Sequence, residues 1–195
     1  MEKQIQAILD KLHKMLQNAV GPNNRMDYMR EIGVSGLDWH FSLNADDIIK
    51  NKIPKRVIGC TGVAKVFCKL ANEIGLECWV VCSANNQQRE AAKANKRGKE
   101  PIISGHQIMA VKINGELKMF DPGRSELKFL PDKAEVGGII NFRFPDMPDP
   151  YLIAAIMTPN EFFKIDSYFK LRNVYASGDM NNPEFVIARS NNTVN

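Results

Sequence analysis

Apolar positions recur with two different periods along this chain, one suited to helices and one to strands, and the switches between them mark out the elements. Over 3–20, Ile5, Ile8, Leu9, Leu12, Met15, Leu16 and Val20 fall on one side of a helix. GPNN at 21–24 ends that pattern, and a shorter helix is expected near 26–32. VSGLDWHFSL at 34–43 reads as loop with room for one short strand, and ADDIIKN at 45–51 as a helical turn or two before Pro54. In GCTGVAKVFCKLANEIGLE, 59–77, Val63, Val66, Phe67, Leu70, Ala71 and Ile74 make an apolar stripe, with Lys65, Lys69, Asn72 and Glu73 opposite. Gly75 suits the end of that helix. Cys60 projects onto the apolar stripe, at the N-terminal tip.

LECWVVCSA, 76–84, has the composition of a buried strand. The polar and basic residues 85–100, with room for a helical turn, form a long connection. Such connections are usually solvated surface, and in some compact domains they act as flaps over a cleft. Further on, 137–144 reads as a strand, 151–157 as strand or helix, and 159–178 as partly helical. A polar tail runs from about 179, and no internal repeat breaks the chain into units. The 195 residues are expected to form a single domain.

The segment SGHQIMAVKINGELKMFDPGR, 104–124, carries the strongest local signal. Asn114-Gly115 suits a two-residue type I′ turn between antiparallel strands. That turn sets Ile113 opposite Glu116, Lys112 opposite Leu117, Ala110 opposite Met119 and Ile108 opposite Asp121. Side chains alternate with period two, so His106, Ile108 and Asp121 share a face. His106 is then the diagonal neighbour of Asp121, about 7–8 Å away at Cα, which an Nδ1–H bond from the imidazole can span. Ala110, Leu117 and Met119 continue this face and need a cover. The helix that begins at Cys60 has a matching stripe, and packing there brings its thiol toward His106.

Composition narrows the function classes. The chain is 44% hydrophobic, ordinary for a globular protein, and its net charge of +4 from 26 basic and 22 acidic residues is too mild to indicate nucleic acid. Residues 85–100 also lack the aromatic interleaving of a single-strand binder. No apolar run reaches the length of a membrane span, and the charged N-terminus MEKQIQAILDKLHKM has no signal-peptide core. A cytoplasmic location is expected, with export by a signal-less route left open. The four cysteines, Cys60, Cys68, Cys78 and Cys82, are then expected as reduced thiols. Their spacing gives no paired C-x-x-C, so no metal is expected, and no organic cofactor is called for.

A thiol on an apolar stripe is most often a small core residue, a strand histidine most often structural, and an Asp before Pro-Gly most often a turn residue. Cys68, Cys78 and Cys82 keep the core reading. For Cys60 the company of His106 and Asp121 changes it. A helix N-terminus and a neighbouring imidazolium both lower a thiol pKa. The imidazole can pass a proton to a leaving amine, and the carboxylate can hold its tautomer. The backbone N–H of Cys60 is a donor for an oxyanion, and the Trp39 indole N–H is a candidate for the second.

GCTGVAKVFCKLANEIGLECWVV followed by GHQIMAVKINGELKMFDP resembles the transglutaminase-like superfamily of cysteine enzymes, over about 45–125. The resemblance implies an α+β fold with a transglutaminase-like or papain-like core, in which a nucleophile-bearing helix packs on a largely antiparallel sheet. It implies Cys60 as nucleophile, His106 as base and Asp121 as orienting residue. Acyl transfer from an amide of a protein or peptide, through a thioester, would follow. The acceptor would be water in a peptidase or deamidase, and an amine in a transglutaminase. Hydrolysis is favoured because a small domain without an evident acceptor module has few ways to exclude water. A non-catalytic binding module on the same fold is the other class. Gln107 stands where the family often has an aromatic residue.

Overall fold

The computed structural model describes residues 2–21, 41, 43–94, 103–142 and 150–181. Helix α1 (Glu2–Ala19) buries Leu9, Leu12, Leu16 and Ala19 along one stripe, as its periodicity requires. Ile8, at the margin of that stripe, stays exposed. Helix α2 (Ala45–Asn51) starts where the Asn44 side chain accepts the Asp47 N–H at 2.8 Å. Helix α3 (Lys55–Glu73) is the central one, and both α1 and α2 pack against it.

Strands β1 (Cys78–Asn85), β2 (Gly105–Ile113), β3 (Glu116–Phe120), β4 (Ile139–Ile140) and β5 (Tyr151–Met157) form an antiparallel sheet in the order β3-β2-β1-β5-β4. Helix α4 (Asn86–Ala94) follows β1, and α5 (Pro159–Phe162) and α6 (Tyr168–Ser177) follow β5. The architecture is α+β with an antiparallel sheet. No helix among the described residues is long and apolar enough to cross a membrane.

The hairpin has the expected turn and register. Asn114 and Gly115 both take positive φ, 52° and 86°, and Ile113 pairs with Glu116, Lys112 with Leu117 and Ala110 with Met119. The ladder stops at Met109–Phe120, one rung short of the expected Ile108–Asp121 pair. Asp121 begins a turn instead, closed by its own side chain on the Gly123 N–H at 2.7 Å.

The sheet separates two apolar clusters, and here the structure corrects the sequence reading. Helix α3 does not cover the face of Ile108, Ala110 and Met119. Its Val63, Val66, Phe67 and Leu70 pack with Met109, Val111, Ile113 and Phe120, on the opposite face. Phe67 and Phe120 meet edge-on, with ring centroids 5.4 Å apart. Ile108, Ala110 and Met119 cluster on the other face with Val81, Ile140, Phe142, Tyr151 and Ile153. Both faces of β2 are buried, so alternation alone could not say which one the helix takes.

Lys65 is a second correction. It does not lie in water on the polar side of α3, but is buried at 5% exposure, where its ammonium donates to the carbonyls of Phe41 and Leu43 at 2.7 and 2.9 Å. Burial lowers its pKa, with the charge of Asp166 acting the other way. Lys65→Met, which leaves both carbonyls without that donor, is expected to cost about 1–3 kcal/mol. Urea unfolding checks this; a change within about 0.5 kcal/mol, the range of an ordinary surface substitution, would contradict the buried role.

Cys68 and Cys78 also depart from the solitary core reading, since their buried thiols lie together and perturb each other. Of the segment 85–100, α4 is docked rather than solvated: Arg89 Nε donates to the Tyr175 carbonyl at 3.0 Å and the Gln88 side chain accepts the Ser104 N–H at 2.5 Å. The strand expected over 137–144 is confined to Ile139–Ile140 in its described part, and 151–157 resolves as strand. The helix expected near 26–32, residues 95–100 and the tail beyond 181 lie outside the described residues.

Candidate active site

Gly59 decides where the thiol sits. Its φ of 59° and ψ of −168° break α3, so the turn from Lys55 ends there and the long helical run starts at Cys60. A positive φ of this kind is open to glycine at no steric cost, which explains a glycine directly before the cysteine. Lys55, at the start of α3, donates through Nζ to the Gly123 carbonyl. The N-terminal end of the helix is thereby tied to the turn in which Asp121 begins, just past the last β2–β3 rung.

Asp121 is 95% buried and His106 is half-buried beside it. His106 Nε2 donates to Asp121 Oδ2 at 2.8 Å. The sequence reading assigned this bond to Nδ1, but across a diagonal pair the outer ring nitrogen is the one that reaches the carboxylate. Nδ1 is the ring nitrogen this bond leaves over, and the imidazole lies close enough to Cys60 for each to act on the other's charge. Asp121 is held in turn by the Gly123 N–H at 2.7 Å and Arg124 Nε at 3.1 Å. The ring of His106 meets Phe142 edge-on with centroids 5.3 Å apart, and Ser83 Oγ donates to the His106 carbonyl at 2.9 Å. The first contact restricts the imidazole and the second fixes the backbone that carries it.

Electrostatics follow from this packing. Burial pushes the Cys60 thiol up, but the hydrogen bond and positive charge of His106, with a hydrogen bond from the Gln107 backbone, outweigh it and the net shift is down. Burial pulls His106 down, yet its bonds to Asp121 and Cys60 prevail and raise it to about 10. For Asp121, burial raises the pKa, while His106, the Gly123 N–H and Arg124 bring it below its usual value. The three groups together favour a thiolate, an imidazolium and a carboxylate in a row.

Cys60, His106 and Asp121 are therefore brought together, although the helix packs on the sheet face opposite to the one the sequence suggested. Trp39 lies outside the described residues. The residue that pattern reading missed as a participant is Gln107. It is buried at 1% exposure, and its Oε1 accepts from Cys60 Sγ at 2.8 Å and from Thr61 Oγ1 at 3.0 Å. Its Nε2 donates to the Tyr175 hydroxyl. The signal was present in the sequence as a lone amide in an apolar strand. Gly105 belongs to the same arrangement, since a Cβ there would overlap the Tyr175 ring. Among the described residues, no group of three or more His, Cys, Asp or Glu side chains could hold a metal ion. No protein-family model, no curated protein and no solved structure matches this chain.

Proposed function

We propose that this protein is a cysteine-dependent acyl-transfer enzyme with a transglutaminase-like core, acting on amide bonds of proteins or peptides. The observation that carries this reading is the file of Cys60, His106 and Asp121, with a 2.8 Å bond from His106 to a buried carboxylate and the thiol at a helix start against the same ring. In the first half-reaction the Cys60 thiolate attacks the substrate carbonyl carbon, and the negative oxygen is received by the Cys60 backbone N–H at the helix start. As the C–N bond breaks, the imidazolium of His106 gives its proton to the leaving amine, and a thioester remains on Cys60. In the second, His106 takes a proton from the acceptor, which attacks the thioester and releases the thiolate, restoring the thiolate–imidazolium pair. Asp121 keeps the ring oriented and stabilises its charged form throughout. Water is the favoured acceptor in this reading, which makes the enzyme a hydrolase. Work in the cytoplasm suits the four unpaired cysteines.

Mass spectrometry of a protein or peptide mixture incubated with the wild type and with Cys60→Ala tests the reading. An amide turned into an acid would mean deamidation, a cleaved chain proteolysis, and an amine adduct transfer. If the wild type leaves every component as Cys60→Ala does, the acyl-transfer reading fails and the fold serves as a binding module.

A further inference from the structure

One thiol proton cannot serve two acceptors, yet Cys60 faces both the His106 ring and the oxygen of a buried amide. Gln107 Oε1 lies 2.8 Å from the sulfur. Facing a thiol, that oxygen accepts a hydrogen bond; facing a thiolate, it would set a lone pair against a negative charge in a buried site. The amide's other contacts are to Thr61 Oγ1 and the Tyr175 hydroxyl. Both are hydroxyls, and a hydroxyl can donate or accept by rotating its proton.

We infer that Gln107 is a two-state positioning residue, whose side-chain amide turns over as Cys60 ionises and then donates an N–H to the thiolate. The inference rests on the nucleophilic role proposed for Cys60. With the thiol protonated, Oε1 accepts from Cys60 and Thr61 while Nε2 donates to Tyr175. When the proton passes from the sulfur to the free nitrogen of His106, a half-turn about the last side-chain torsion exchanges oxygen and nitrogen. The amide NH₂ then donates one proton to the thiolate and one to Thr61 Oγ1. Tyr175 turns its O–H to Oε1. Only the amide oxygen and nitrogen exchange places, the thiol proton stays in the network on His106, and the sulfur, the amide and both hydroxyls each keep a partner in both states. Tyr175 suits this part. Burial holds its pKa well above the ordinary phenol value, so its proton stays available, and Gly105 opens the space its ring occupies.

The pH dependence of Cys60 alkylation by iodoacetamide tests the switch by its sign. The variant is Gln107→Met with Tyr175→Phe, which removes the amide without leaving the phenol orphaned. A hydrogen bond to a charged group outweighs one from a thiol, so losing a switching amide raises the midpoint of the alkylation curve by about one pH unit and slows alkylation near pH 6 about tenfold. A fixed amide that only accepts from the thiol would give the reverse, a lower midpoint. A lowered or unchanged midpoint overturns the switch, while a raised midpoint in His106→Ala shows that the thiolate–imidazolium pair beneath it still stands. If His106→Ala also leaves the curve where it was, the proposed function fails and the switch fails with it. Gln107→Asn, whose shorter amide cannot reach both hydroxyls and the sulfur, is expected to shift the curve in the same direction as the double variant.

Discussion

Iodoacetamide near pH 6 is expected to label Cys60 selectively, and His106→Ala to slow that labelling by about two orders of magnitude. An unperturbed thiol is only roughly 0.3% ionised at that pH, so a site that holds it as thiolate gains up to about 300-fold in reactive species. The gain depends on His106, because burial alone would move the thiol the other way. Without the ring, that burial prevails and the pKa rises. Cys68, Cys78 and Cys82 serve as internal controls, all three being buried free thiols. Peptide mapping after a short pulse reads the four sites separately. Equal, slow labelling of all four would sink the thiolate–imidazolium pair. On the proposed chemistry, turnover rises on the acid side as Cys60 ionises, below its ordinary range. It falls again near pH 10, where His106 loses the proton that the leaving amine requires. These two limbs belong to the coupled pair rather than to either residue alone.

Asp121→Asn is expected to lower kcat by about 10³–10⁴ with the fold retained. Asparagine keeps an oxygen for the Gly123 N–H that now bonds the carboxylate at 2.7 Å, so the turn after β3 survives. What it loses is the negative charge beside the imidazolium and the certainty that an acceptor faces Nε2. Steady-state kinetics on whichever substrate mass spectrometry identifies, with circular dichroism as the fold control, checks this. A loss of activity that merely tracked a loss of structure would count against the orienting role. The same site bears on stability. Asp121 has a folded pKa below its ordinary 3.8, so its contribution is present above that value and lost as pH falls through the folded one. His106 is raised from 6.5 to about 10, so its contribution is complete below 6.5 and lost as pH rises toward 10. The pair supports the fold most between 3.8 and 6.5, and Asp121→Asn should flatten the pH dependence on either side of that window.

Local and periodic features were determined by the sequence itself. Helix α1, the short α2, the run from Cys60 to Glu73, the buried β1 and the Asn114-Gly115 hairpin all follow from interactions within a few residues of one another. Turn chemistry and apolar spacing write these directly into the chain. The shared face of His106 and Asp121 follows likewise, because a two-residue turn leaves one register. Tertiary structure decided what depends on distant partners. A strand buried on both sides does not announce which face a helix takes, so α3 lies on Met109 and Val111 rather than on Ile108 and Ala110. Spacing puts Lys65 opposite the apolar stripe, where a lysine's usual partner is solvent; two carbonyls more than twenty positions upstream replace it. The choice of Nε2 over Nδ1, the proximity of Cys68 to Cys78, and the amide of Gln107 against the sulfur share that cause. Each depends on directions of approach between segments far apart in the chain, and spacing along one strand or helix carries no record of them.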